Sequence, residues 1–165
     1  MTPMSLDRPT NLALKASGMR FAIVAARYNP ELMDQLIQRT QAELLALKAD
    51  VVVIERVPGS AELPLAAALI TQQPEKPVAV IALGIVIAGS THHHQIIGYS
   101  TAWALQQISL QHNLPIINGI LVVENCSQAE ERVGDAINRG REFAAAAIEM
   151  AHLTQKWTNN IKTNR

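Results

Sequence analysis

Short apolar runs alternate with amphipathic stretches along the chain. The apolar runs cover residues 20–26, 50–57, 78–87 and 114–123, and they are typical of strands buried on both faces. After the first run, Pro30 is suited to a first helical turn, and leucines then recur at helical spacing beside Glu and Gln. Helices are likewise predicted over residues 61–73, with Pro64 in the first turn, over 92–112, and from Ser127 to the Trp157 region.

This order of strands and helices, without hairpin turns, predicts an α/β fold with a parallel four-stranded sheet and helices on both faces. A mass of 18.0 kDa suits one domain. Residues 1–18 are polar, contain two prolines and lack periodicity, so we expect a flexible or partner-ordered arm. The domain is expected over residues 19–157, followed by a tail at 158–165.

Charge and cysteine content narrow the class of protein. Fourteen basic and fourteen acidic residues give a formal charge of +0, which offers no overall field for nucleic acid or an anionic membrane. Cys126 is the only cysteine, so neither an intramolecular disulfide nor a multi-thiolate metal site is expected, and the thiol is interpreted as structural. The N-terminus lacks the apolar core of a signal peptide, and no apolar run is long enough to span a bilayer. We therefore expect a cytoplasmic protein.

Candidate chemistry lies where strands end and helices begin, which is where this type of sheet binds ligands. Gly89, Ser90 and Thr91 lead directly into a predicted helix, whose N-terminal N–H groups and dipole favour a phosphate or carboxylate. Alternatively, Ser90 or Thr91 caps that helix, a function that is compatible with anion binding.

Three consecutive histidines, His92, His93 and His94, follow this turn. Successive helical residues point about 100° apart, so the three cannot all ligate one metal, and no metal site is predicted. One of them could face the junction as a general acid or base, because imidazole titrates near neutral pH. For any single one of them, the default interpretation is a solvated helical residue.

Four further polar or aromatic residues at these junctions have two interpretations each. Asn29 and Glu62 could hydrogen-bond a ligand or cap their own helices. Tyr28 could stack on a planar ligand or simply pack. Arg132 could pair with a phosphate or with Glu130 and Glu131.

Six motifs occur at the junctions and in the C-terminal third of the chain. They read RYN at 27–29, VPGSAELP at 57–64, GIVIAGSTHH at 84–93, NGILVV at 118–123, SQAEERVG at 127–134 and NRG at 138–140. In this order and near these spacings, they resemble the motifs of the 6,7-dimethyl-8-ribityllumazine synthase family over about residues 19–157. The resemblance implies a three-layer, flavodoxin-like fold.

It also implies a transferase of riboflavin biosynthesis. Such enzymes condense 5-amino-6-(D-ribitylamino)uracil with 3,4-dihydroxy-2-butanone 4-phosphate, releasing phosphate and water, without a metal or organic cofactor. By the resemblance, His93 is the acid/base histidine, Gly89, Ser90 and Thr91 form the phosphate turn, and Arg132 reaches the phosphate from a neighbouring subunit. The pyrimidine and ribityl positions implied are Tyr28, Asn29, Ser60, Ala61, Glu62, Ile85, Val86, Ile87 and Asn118.

Several wall positions depart from the family pattern. Ala61 and Asn118 stand where Phe is usual, Ala88 replaces Arg, and Ile85 replaces a small or hydroxyl residue. The resemblance therefore indicates a retained reaction more strongly than an unaltered substrate affinity. The alternative is a non-catalytic, flavin- or lumazine-binding or shell-forming relative on the same fold.

Family members form pentamers, some of which assemble into sixty-subunit shells. The resemblance thus implies a homo-oligomer with active sites between subunits, with small molecules as substrates and neither nucleic acid nor membrane as partner.

Overall fold

The computed structural model describes residues 13–163 of the chain, apart from the side chains of Val51, Val52 and residues 160–163. The strands are β1 (Arg20–Ala26), β2 (Asp50–Val57), β3 (Ala79–Ile87) and β4 (Ile116–Val123). The α-helices are α1 (Pro30–Ala46), α2 (Leu63–Thr71), α3 (His93–His112), α4 (Cys126–Val133) and α5 (Arg139–Thr163), and a 3₁₀ turn (Ser60–Glu62) precedes α2. The predicted alternation of strands and helices is confirmed.

The four strands form one parallel sheet in the order β2-β1-β3-β4. Alternate residues of each inner strand face opposite layers, as the pleat requires. Phe21 and Ile23 pack in the cluster that includes α1, α4 and α5, whereas Ala22 and Val24 pack against α2 and α3. The fold therefore has three layers with helices on both faces, as predicted.

Local sequence signals explain where the first two helices begin. Pro30 opens α1 and Pro64 lies in the first turn of α2, where a missing N–H costs no intrahelical hydrogen bond, so both predictions are confirmed. However, α2 begins at Leu63 and not at residue 61. The reason is that the Glu62 carboxylate accepts the Gly59 N–H at 2.8 Å, which stabilises a separate 3₁₀ turn before the helix.

The first described residues pack against the end of α1 and against the middle of α5. The Ala16 N–H donates to the Leu47 carbonyl at 3.0 Å, and His152 Nε2 lies 2.6 Å from the Lys15 carbonyl oxygen. Residues 1–12 of the predicted arm lie outside the described residues. Helix α5 continues to Thr163, so the predicted tail begins as helix. None of the helices in residues 13–163 has the length and apolar character needed to cross a membrane.

Candidate active site

The three junctions that carry the candidate residues lie along one edge of the sheet, because all four strands are parallel. Two backbone hydrogen bonds continue the ladder into these junctions. The Arg27 N–H donates to Val57 O at 2.9 Å, and the Ala88 N–H donates to Val123 O at 2.8 Å. The first bond joins the segment after β1 to the end of β2, and the second joins the segment after β3 to the end of β4. Because β1 also pairs with β3, the segments that follow β1, β2 and β3 are neighbours.

Asn29 connects two of these junctions. It has a left-handed backbone conformation (φ 55°, ψ 59°) and makes no side-chain cap to α1. Instead, its Nδ2 donates to the Ile85 carbonyl oxygen at 3.1 Å. The sequence suggests that Asn29 caps its helix or contacts a ligand. In the structure its side chain instead links the ends of β1 and β3.

The turn after β2 lies beside Tyr28. A Cβ atom placed on Gly59 would come within 3.2 Å of Glu62 Oε2 and 3.4 Å of Tyr28 Cε2, so both groups flank this glycine. Tyr28 is 70% exposed, which leaves most of its ring open to a planar ligand. Glu62 caps its own turn through the bond to Gly59, but the residue remains exposed, as does Ala61.

Ser60 is buried, and its hydroxyl oxygen lies in the space that a Cβ of Gly84 would need. This close approach explains why a glycine stands in the middle of β3. Further along β3, the Ile85 side chain is 2% exposed and packs in the core with α1, α4 and α5, whereas Val86 and Ile87 are half-buried. Ile85 thus offers the junction its backbone and not its side chain.

The Gly89–Thr91 turn is open. All three residues are exposed, and a Cβ on Gly89 would meet nothing within 4 Å. The N-cap of α3 is His92, and it makes no side-chain cap. Neither Ser90 nor Thr91 is therefore the N-cap of the helix. The N–H groups in the first turn of this 20-residue helix remain able to bind an anion.

The three histidines differ in their surroundings. His92 and His93 are exposed beside the turn, whereas His94 is only 7% exposed. The default expectation of a solvated residue is wrong for His94, because its position on α3 points toward the sheet. His94 Nδ1 lies 3.2 Å from the Thr91 carbonyl oxygen. Within residues 13–163, no group of three or more His, Cys, Asp or Glu side chains is placed to hold a metal ion.

Asn118, one of the residues implied by the resemblance, is not brought to this edge within one chain. Asn118 pairs with Ala82 in the register of β3 and β4, whereas the end of β4, Val123, pairs with Ile87. Asn118 therefore lies about 16 Å before the end of its strand, at about 3.3 Å per residue. It is exposed, and its Oδ1 accepts the Ile120 N–H at 3.2 Å.

Arg132 lies on α4, which packs on the face of the sheet opposite to α3. Its Nη1 donates to the Gln128 carbonyl oxygen at 3.0 Å. Among the ion pairs of the described residues, Arg132 is not paired with Glu130 or Glu131.

On the same helix, Cys126 Sγ donates to Glu130 Oε1 at 3.5 Å, and this hydrogen bond is the main cause of a raised pKa of the thiol. A raised pKa leaves less thiolate, which agrees with a residue outside the chemistry.

Comparison with known proteins identifies the family. The family model for 6,7-dimethyl-8-ribityllumazine synthase matches residues 18–155. A 6,7-dimethyl-8-ribityllumazine synthase of Leptothrix cholodnii is 38% identical over 151 residues, which cover 90% of this chain and 96% of the relative. The synthase of Xanthomonas euvesicatoria pv. vesicatoria is 37% identical over 145 residues (86% and 94%), and that of Xylella fastidiosa strain M12 is 36% identical over 146 residues (87% and 94%). This chain belongs to the 6,7-dimethyl-8-ribityllumazine synthase family.

Proposed function

We propose that the chain condenses 5-amino-6-(D-ribitylamino)uracil with 3,4-dihydroxy-2-butanone 4-phosphate at the edge formed by the three junctions. The observation that carries this proposal is the uncapped start of α3. The exposed Gly89–Thr91 turn and the exposed His93 stand next to each other there, on the edge that also presents Tyr28. An anion site beside an acid/base group is what a reaction that eliminates phosphate requires.

The reaction proceeds through proton transfers. The 5-amino group of the pyrimidine attacks the ketone to form an imine with loss of one water, and phosphate then leaves by elimination. The ribitylamino nitrogen attacks the carbonyl that this elimination produces, and the ring closes with loss of a second water. The turn of Gly89, Ser90 and Thr91 holds the phosphate through backbone N–H groups and hydroxyls. His93 moves protons at the reacting carbons and nitrogens. Holding two substrates side by side supplies much of the acceleration.

The pyrimidine lies against Tyr28 in this proposal. The largely exposed ring offers a stacking face, and the turn of Ser60, Ala61 and Glu62 beside it contacts the ribityl chain. Backbone groups of Ile85, Val86 and Ile87 line the remaining wall, because the Ile85 side chain is occupied in the core. This division explains how side chains along the wall can differ from the family pattern while the reaction is kept.

The site is completed by a second copy of the chain. Asn118 lies about 16 Å before the end of its strand, and Arg132 lies on α4, on the face of the sheet opposite to α3, so we expect both to contact the ligand of a neighbouring subunit. The helices beside this edge also present large exposed apolar side chains, namely Leu65, Leu69, Ile96, Tyr99 and Trp103. Such a patch is typical of a subunit interface. We therefore propose a pentamer or an assembly of pentamers, located in the cytoplasm, where the unpaired Cys126 thiol is stable.

Native mass spectrometry tests the assembly. The expected result is a mass several times that of the 18.0 kDa chain, and a sharp monomer would overturn the shared site.

The reaction itself is tested by mixing the purified protein with both substrates and following the fluorescent lumazine against the spontaneous background reaction. We expect acceleration that falls by about a hundredfold or more in His93→Ala, within the usual range for losing a general acid/base. His112→Ala, at the far end of the same helix, is the matched control and should keep its activity. No acceleration by a folded, oligomeric protein would favour the alternative, a binding or shell-forming relative.

A further inference from the structure

One nitrogen of the buried His94 imidazole has no hydrogen-bond partner among residues 13–163. His94 is 7% exposed, Nδ1 lies 3.2 Å from the Thr91 carbonyl oxygen, and Nε2 is buried with no partner in this part of the chain. A carbonyl oxygen only accepts, so Nδ1 is the protonated nitrogen in this contact. Burial of the other nitrogen without a partner is unfavourable, and a phenyl ring of similar shape would avoid that cost.

The Thr91 carbonyl lies outside the hydrogen-bond ladder of α3. The N–H groups of Gln95 and Ile96 both donate to the His92 carbonyl, at 3.1 and 3.4 Å. The His94 ring therefore supplies a donor for the Thr91 carbonyl where the helical backbone does not. The hydrogen bond crosses from the first turn of the helix back to the exposed loop that precedes it.

This hydrogen bond fixes one end of the Gly89–Thr91 turn. The other end is held by the Ala88 N–H, which donates to Val123 O at 2.8 Å. Between these two anchors the residues are exposed, and Gly89 contacts nothing through the Cβ direction. Without the hydrogen bond from His94, the Thr91 end of the turn, next to His93, would be held only by its covalent connection to α3.

We propose that His94 is a positioning residue for the reaction, acting through its Nδ1–H on the Thr91 carbonyl. The ring holds the turn in the conformation that receives the phosphate and sets the direction in which the neighbouring His93 leaves the helix. Placing the Nδ1–H donor here also buries Nε2, which has no hydrogen-bond partner among the described residues, and this burial is unfavourable. This inference rests on the phosphate and acid/base functions proposed above for the turn and for His93.

Three substitutions of His94 test whether the effect depends on a donor at the Nδ1 position or at the Nε2 position. His94→Asn keeps an N–H donor near the position of Nδ1, His94→Gln places its amide near the position of Nε2, and His94→Phe keeps the ring but has no donor. We expect His94→Phe and His94→Gln to raise the KM for the phosphate substrate about tenfold, the effect of one net hydrogen bond. His94→Asn should recover most of that loss. His112→Phe, about 27 Å away along α3 at 1.5 Å per residue, is the control for a histidine-to-phenylalanine change.

A second measurement reports on the turn without catalysis. Binding of inorganic phosphate, measured by calorimetry on the intact assembly, should weaken in the same order as the KM effects. Amide hydrogen exchange at Ser90 and Thr91 should become faster in His94→Phe and His94→Gln but not in His94→Asn. A purely structural role would lower thermal stability in all three variants without this ranking.

Two results would overturn the inference. One is a His94→Phe variant with wild-type KM, phosphate affinity and exchange at the turn. The other is recovery by His94→Gln and not by His94→Asn, which would assign the function to Nε2. Failure of the proposed function is recognised separately, since the wild-type protein would then bind no phosphate and make no lumazine. Because Asn and Gln both remove the ring, their comparison is informative even if His94→Phe folds poorly.

Discussion

The side-chain amide of Asn29 donates a hydrogen bond to the carbonyl oxygen of Ile85 at 3.1 Å. This bond joins the end of β1 to the end of β3, at the edge where the candidate ligand site lies. Asn29 also has the positive φ of 55° that turns the chain into α1. One residue therefore provides both the turn and the connection, and Asn suits the left-handed region better than residues other than glycine.

Replacement of Asn29 separates these two contributions. Asn29→Gly keeps the turn and loses the hydrogen bond, so we expect the free energy of unfolding to fall by about 1 kcal/mol. Asn29→Ala also strains the left-handed backbone, which should bring the loss to about 2 kcal/mol. Urea unfolding followed by circular dichroism measures both. Equal stability of the wild type and Asn29→Gly would show that the bond to Ile85 contributes nothing.

Gly84 and Gly89 lie close together in sequence and are expected to respond differently to a methyl group. At Gly84 an added Cβ collides with the Ser60 hydroxyl, whereas at Gly89 it meets nothing within 4 Å. We expect Gly84→Ala to lower the free energy of unfolding by about 1–3 kcal/mol through overpacking. Gly89→Ala should change it by less than about 0.5 kcal/mol.

A double substitution checks the cause of the Gly84 effect. Removing the hydroxyl with Ser60→Ala in the Gly84→Ala background should restore part of the lost stability, as coupled neighbours do. Simple addition of the two losses would show that the collision with Ser60 is not what makes Gly84→Ala unfavourable.

Cys126 should react slowly with alkylating reagents for an exposed thiol. The hydrogen bond to Glu130, with smaller contributions from desolvation and from the carboxylate charge, raises the pKa of this thiol. Raising the pKa lowers the thiolate fraction at a given pH, and the thiolate is the nucleophile. Glu130→Gln should therefore shift the profile of iodoacetamide rate against pH toward lower pH. The control is Glu131→Gln, because Glu131 is not among the causes of the raised pKa of Cys126. Coincident profiles for Glu130→Gln and wild type would contradict the assignment.

The parts of the fold that the sequence predicts are those with local causes. The apolar runs mark the strands to within two residues because their side chains are buried on both faces. Pro30 and Pro64 mark helix starts because the missing N–H restricts a proline to the first turn of a helix. Neither inference requires knowledge of any distant residue.

The parts that the sequence misses depend on contacts between elements. His94 is buried because its place on α3 faces the sheet, and nothing in three consecutive histidines tells which one does so. The Asn29 bond needs the carbonyl of a residue 56 positions away. That Asn118 lies beside Ala82 follows from the register of β3 and β4, which only strand pairing fixes.

The proposed sharing of the active site leads to a prediction about mixed assemblies. His93 stands beside the exposed turn at the start of α3, whereas Arg132 lies on α4 on the opposite face of the sheet. If a site takes His93 from one subunit and Arg132 from its neighbour, His93→Ala and Arg132→Ala should each abolish most of the activity. Assemblies formed from equal amounts of both variants should recover activity, because some interfaces then unite two intact residues.

For random mixing, about a quarter of the interfaces carry both intact residues, so we expect about a quarter of wild-type activity. The two variants are co-expressed with different tags, mixed assemblies are purified through both tags, and lumazine formation is measured. In the matched control, His93→Ala is co-expressed with Arg20→Ala in place of Arg132→Ala. Arg20→Ala breaks only an exposed ion pair with Glu75 and should be active alone. If His93 and Arg132 act within one chain, the mixed assemblies will be as inactive as their parents, because no subunit then carries an intact pair.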